Sequence, residues 1–225
     1  NSVNRYLFSV RQDSTFRMSD SELHYCGWEH QGATGLHINS DDAVVENSLI
    51  SHNFYGIFVQ SDGVVIRSNN ITANEQGITL GGEGISPTIN DNYISSNGVG
   101  INLAGCSPTI SNNTIISNSG TGINLANATP VIRNNFIMNN GDAGIRSYSY
   151  SNPIIFNNTI TSNHEIGVYC YDRSSGIIRN NTITGNFCGI GCENSNPTIQ
   201  NNTVSSSQNG IAVWNSNSTN GNSLI

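Results

Sequence analysis

The sequence predicts an all-β solenoid of one domain, with three short parallel strands per turn and about ten turns of 21–23 residues. Three observations predict it. Nine glycines, Gly35, Gly56, Gly77, Gly100, Gly122, Gly144, Gly167, Gly189 and Gly210, recur at intervals of 21 to 23 residues, and a fixed period of that length marks stacked repeats. Three apolar columns keep step with those glycines, each within a short β-branched segment that alternates with period two. No window of helical length carries a 3.6-residue pattern.

Each copy opens with a Gly-Ile-like pair, so the first column reads Leu36, Ile57, Ile78, Ile101 and onward to Ile211. The second column runs from Val45 and Ile66 to Ile199, and the third lies five residues later in every copy, from Ile50 to Val204. One short strand cannot bury its apolar side alone. Copies stacked in register ~4.8 Å apart turn the columns into continuous ladders, in a rod roughly 45–50 Å long. Two asparagine columns follow the strands, one from Ser48 and Asn69 to Asn202, the other from Asn53 to Asn186 and Ser207. Asparagine tolerates left-handed φ/ψ at sharp turns, and its amide bonds to neighbours. All five prolines (Pro87, Pro108, Pro130, Pro153, Pro197) stand two residues before the second apolar column, at strand starts where proline is tolerated. Residues 35–225 are regular repeats; residues 1–34 fit loosely, as irregular first turns with a longer loop at 26–34.

The net charge of −7 and the absence of lysine argue against a nucleic-acid partner. No apolar run reaches the length of a membrane span. High Asn, Ser, Thr and Gly with little charge suits a secreted or cell-surface repeat, extracellular or periplasmic. Of five cysteines, Cys170 and Cys192 share one inward position in adjacent turns. A Cα separation of ~4.8 Å would lie inside the disulfide window, so the pair reads as two core thiols or one disulfide. No cofactor is implied.

The fullest copies, Gly100–Asn118 and Gly189–Val204, carry the motif Gly-Ile…Pro-x-Ile-x-Asn-Asn-x-Ile. In this the chain resembles right-handed parallel β-helix proteins of the pectate-lyase-like type, clearly from Gly35 onward. The resemblance implies a right-handed, single-stranded parallel β-helix. That group includes polysaccharide lyases, uronan epimerases, glycan-binding surface proteins and periplasmic metal-maturation accessories. Substrates of its lyase-like members lie along the first sheet.

Alternation points residues two and four after each glycine outward on that sheet. The middle turns carry small or bland residues there. The later turns carry Arg146, Tyr148, Tyr169, Tyr171, Glu193 and Trp214, with Arg173 on the adjoining loop. Aromatic faces suit sugar rings, and a planar guanidinium suits a carboxylate or sulfate. Cross-strand aromatic pairing without any ligand is the other reading of the same residues. A catalytic reading uses Arg146 to neutralise a substrate carboxylate and Tyr169 as base or acid, its pKa lowered by the arginine, with His164 or Asp172 assisting. Tyr169 and Asp172 also match a Tyr-Gly-Phe-Asp-Pro-His stretch of mannuronan C5-epimerases, but Arg173 and Ser174 replace its proline and histidine.

A second patch joins Trp28, Glu29 and His30 of the long loop to His37 and Phe58. Four of the five histidines lie in the first quarter of the chain, so His24, Cys26, His30 and His37 are candidate metal ligands, although their spacing matches no metal motif. The tail Gly221–Ile225 repeats Glu46–Ile50 except at its first residue. The last turn is therefore expected to be unfinished, and uncapped ends invite self-association or neighbouring domains. The near-constant interval leaves no room for long cleft-forming loops. The expected function is a surface module that binds carbohydrate or serves as a scaffold. The alternatives are a polysaccharide lyase or C5-epimerase acting on an acidic glycan, and a periplasmic metal-maturation accessory.

Overall fold

The structure, a computed structural model, describes residues 6–26, 35–205 and 208–215, and the backbone of 219–221. Among these, every regular element is a strand, and the strands form three parallel sheets of ten, ten and nine members. The first sheet runs from Phe8–Val10 and Leu36–Ile38 to Asn209–Trp214. The second runs from Phe16–Ser19 to Thr219–Gly221, and the third from Glu22–His24 to Thr203–Ser205. Residues 6–26 thus already supply one strand to each sheet.

Every strand inside a sheet pairs with its counterparts one coil before and one coil after, in register: Ile101 lies between Ile78 and Ile123. This repeats through the three apolar columns, so one coil contributes Ile101, Ile110 and Ile115, all fully buried. The core is a continuous ladder of such side chains. The glycine ahead of the first column is set by close approach. A Cβ on Gly144 would meet the Gly167 carbonyl oxygen at 2.7 Å and Ile160 Cγ2 at 2.7 Å.

The asparagine columns form two buried amide ladders. In one, Asn113 Nδ2 donates to Asn135 Oδ1 at 3.0 Å and Asn135 Nδ2 to Asn158 Oδ1 at 3.0 Å. The same oxygens accept backbone N–H groups, as from Asn113 to Asn135 Oδ1 at 2.9 Å. The other ladder links Asn53, Asn74, Asn97 and onward to Asn186. One expectation needs correction. The ladder asparagines are not the left-handed residues; the residue before each one is. Asn112, Asn134, Asn157 and Asn180 have φ of 55–57°. In these four Asn-Asn pairs the first residue turns the chain and the second carries the ladder.

All five cysteines are buried free thiols. Cys170 and Cys192 are register partners in the core, held as two thiols rather than as a disulfide. Burial pushes the Cys170 thiol far up. The final residues 222–225, on which the unfinished last turn was argued, lie outside the described residues.

Candidate functional site

Successive strands of the first sheet bring Arg146, Tyr169 and Gly191 into one outward column and Tyr171, Glu193 and Trp214 into the next. The predicted face is therefore assembled. Tyr148 and Tyr171 stack with centroids 5.2 Å apart and planes 10° apart. Tyr169 and Tyr171 stack at 4.9 Å and 24°. Parallel in-register strands put Tyr148 one coil from Tyr171, near the separation that offset stacking favours, while Tyr169 and Tyr171 alternate on one strand. Gly191 lies beneath neighbouring rings: a Cβ there would meet Tyr169 Cδ2 at 3.2 Å and Trp214 at 3.4 Å. Trp214 is 45% exposed.

The charged groups are engaged. Arg146 forms an ion pair with Asp142, which also accepts from Thr121 Oγ1 at 3.0 Å. Arg146 Nε is buried with no hydrogen-bond partner, and Asp142 also faces the Glu165 carboxyl. The Tyr169 hydroxyl donates to Glu193. Arg173 donates to the Tyr150 hydroxyl and lies 5.3 Å from that ring's centroid. Tyr171, Asp172, Arg173, Glu193 and Asn194 line a depression of about 310 Å³. Ser149, Tyr150, Asp172 and Arg173 all have φ of 49–66°, so paired left-handed residues hold this rim in two successive coils.

One catalytic expectation is overturned, the lowered pKa of Tyr169. Desolvation, and then the hydrogen bond and charge of Glu193, push the Tyr169 phenol well above its ordinary value, not below it. Arg146 works in the lowering direction but is the least of the contributions. His164 and Asp172, the two alternative assistants, flank opposite ends of the six-residue strand Ile166–Tyr171 that carries Tyr169. Asp142 and Glu165 were missed. Both sit in the turn before the first-sheet strand, where side chains follow no period. The available signal was a carboxylate four residues ahead of an outward arginine.

The second patch is partly present. His37 lies 5.1 Å from Phe58, and Phe58 5.6 Å from Tyr55, by ring centroids. His37 Nε2 bonds Gln60 at 2.9 Å. Trp28, Glu29 and His30 lie outside the described residues. A groove of about 550 Å³ runs along the adjoining edge, between Tyr25 and His52 at one end and Gly98 and Ser119 at the other. The metal candidates do not converge. His24 is on the third sheet, bonded to Ser51 Oγ at 2.6 Å and Glu22 at 3.1 Å, whereas His37 is on the first. The Cys26 thiol turns back to the His24 carbonyl at 3.6 Å. Among the described residues, no three His, Cys, Asp or Glu side chains are placed to hold a metal ion, and no helix is long and apolar enough to cross a membrane.

A solenoid of parallel coils with an open outward face defines a class, and the chain belongs to the right-handed β-helix family. The family model for a right handed beta helix region matches residues 2–108 and 77–224. The fold is similar to the mannuronan C-5 epimerase AlgE4 A-module of Azotobacter vinelandii, with a TM-score of 0.71 and 19% identity over 95% of this chain and 64% of that one. It is similar to the enzymatically active domain of tailspike protein 2 of bacteriophage CBA120, at 0.68 and 14%, over 97% of this chain and 42% of that one. It is also similar to an alginate lyase from Paenibacillus sp. str. FPU-7, at 0.67 and 14%, over 93% and 91%. The chain thus spans less than two thirds of the epimerase module and of the tailspike domain. No curated protein matches it.

Proposed function

We propose that the chain is a glycan-binding β-helix module of a secreted or cell-surface protein, with the outward side of the first sheet as its contact face. The observation that carries this reading is the half-buried stack of Tyr148, Tyr171 and Tyr169 beside exposed Trp214. The column leading to Tyr148 is Gly81, Ala104 and Ala126, so the free face of the Tyr148 ring borders a floor without bulk. Asn102 and Asn124 line that floor with amides already linked at 2.9 Å, leaving further donor and acceptor positions for sugar hydroxyls. Alginate and mannuronan, named in two of the similar folds, are the first glycans to try.

Binding rather than catalysis fits the side chains. Arg146 is occupied by Asp142, and Tyr169 holds its proton tightly. Titration calorimetry against acidic and neutral oligosaccharides tests the reading. Tyr148→Ala and Tyr171→Ala should each weaken binding by about 1 kcal/mol, roughly fivefold. Absence of binding across a glycan array, or binding unchanged in both variants, overturns it. Release of unsaturated sugars, followed by ultraviolet absorbance, would instead establish a lyase.

A further inference from the structure

The second sheet presents an outward column unlike those of the other two sheets. Eight successive register positions, from Val44 to Thr198, are all β-branched and uncharged. Ile154 and Ile177, in its later coils, are each 38% accessible. Beside them, three successive coils place Arg133, Phe156 and Arg179 in one column, with the Arg179 guanidinium 4.4 Å from the Phe156 ring centroid. Among the described residues, ion pairs involve Arg17, Arg67, Arg146 and His24. Arg133 and Arg179 have no carboxylate partner there.

Charge is divided unevenly along the rod. Residues 1–112 hold eleven of the fifteen carboxylates and four of the eight arginines, and residues 113–225 hold four of each. The whole net charge of −7 therefore belongs to the first half. Exposed Asp41, Asp62 and Asp91 of that half flank the second-sheet strands at their starts or ends, and exposed Glu83 lies in the loop that leads from Gly81 of the first sheet to Thr88 of the second. In the early coils the sheet's arginines, Arg17 and Arg67, are both paired with Glu46 inside this acidic flank, whereas the later coils present Arg133 and Arg179 beside the aliphatic column.

We propose that this face is the seam of an antiparallel homodimer, with two second sheets packed face to face about a two-fold axis near Thr109–Ser111. An isologous pairing lays the arginine coils of each copy over the acid-flanked coils of the other. A parallel pairing would set arginine on arginine. The β-branched columns meet as in packed sheets, about 10 Å apart. The seam spans seven coil spacings, ~34 Å at about 4.8 Å each, but only one strand in width. That puts it at the small end of specific interfaces, so the association is weak and salt-sensitive. It leaves the first sheet open and does not depend on glycan binding.

Sedimentation velocity of the full chain, over rising concentration and at low and high salt, tests this. The expected result is a monomer–dimer equilibrium that weakens with salt. Arg133→Glu with Arg179→Glu should weaken it at least tenfold, and so should Glu83→Arg with Asp91→Arg. Mixing the two double variants should restore a heterodimer. Far-ultraviolet circular dichroism and melting midpoints should be unchanged, since these side chains face solvent. A chain that stays monomeric at the highest soluble concentration overturns the proposal. So do an open-ended series of oligomers, association indifferent to both double variants, a mixture that fails to pair, and an acidic partner of another kind captured by a monomeric chain.

Discussion

The outward face of the first sheet is two surfaces on one backbone. In the middle coils, Asn124 donates to Asn102 and Asn102 to Gln76, both at 2.9 Å, in a line along the rod. From Arg146 onward, the line gives way to an ion pair, an acid-bonded phenol and stacked rings. Yet the coils beneath are the same. Ile101 and Ile145 are both fully buried, and the same amide ladder runs under both surfaces. Stability therefore resides in a repeating interior, and the outward positions are free to differ. Substitutions outside should change binding at little cost to the fold, and substitutions inside should do the reverse.

The ladder is the place to break the comparison most severely, because both surfaces rest on it. Asn135 accepts from Asn113 and donates to Asn158 Oδ1, to the Ile110 carbonyl and to the Arg133 carbonyl, all at 2.9–3.0 Å. Asn135→Ala strands several buried polar groups, each costing ~1–3 kcal/mol. A loss of about 3–4 kcal/mol in urea unfolding is expected, with both outward surfaces lost together. A loss below about 1 kcal/mol would mean that water replaces the amide and that the ladder is not the common support.

A smaller effect separates the two surfaces by pH. Tyr169 has a folded pKa raised above the ordinary 10.0, first by desolvation and then by Glu193. For an acid with a raised folded pKa, the folded state holds the proton more tightly. The stabilisation is then complete below the unfolded value near 10.0 and is lost as pH climbs beyond it. Tyr171 is raised as well, mainly by burial. Thermal melting from neutral to strongly alkaline pH should therefore fall less steeply in Tyr169→Phe than in the parent chain. Identical alkaline slopes would show that the folded chain does not hold the phenol's proton more tightly than the unfolded one.

Much of this was legible in the sequence because a solenoid repeats its environment. Ile101, Ile110 and Ile115 could be assigned to the core, and Arg146, Tyr169 and Tyr171 to one face, by counting from the nearest glycine. The five prolines fell at strand starts by the same count. Counting failed where the chain leaves the strands. Asp142 and Glu165 stand in turns, whose side-chain directions follow no period, so the arginine's partner was not foreseen. The sign of the Tyr169 shift then followed wrongly, since it was argued from a free arginine and without Glu193. The left-handed residues were displaced by one, because Asn-Asn offers two candidates and only the buried amide of the second tells them apart.

The smallest expected effect lies in that unforeseen turn. Glu165 has its pKa raised, first by a side-chain hydrogen bond with Asp142, then by desolvation and by the charge of Asp142, against lowering contributions from Arg146 and His164. A carboxyl raised in the folded state adds stability when protonated. That contribution is complete below its ordinary value of 4.5 and is lost as pH rises through the folded value. Glu165→Gln keeps a donor for Asp142 at every pH and removes the like charge. The variant should match the parent in acid and melt slightly higher at neutral pH, with Arg146 still paired to Asp142. A variant that melts lower at neutral pH would mean that Glu165 serves the turn as a carboxylate, through Arg146 or His164, and that the two acids do not share a proton.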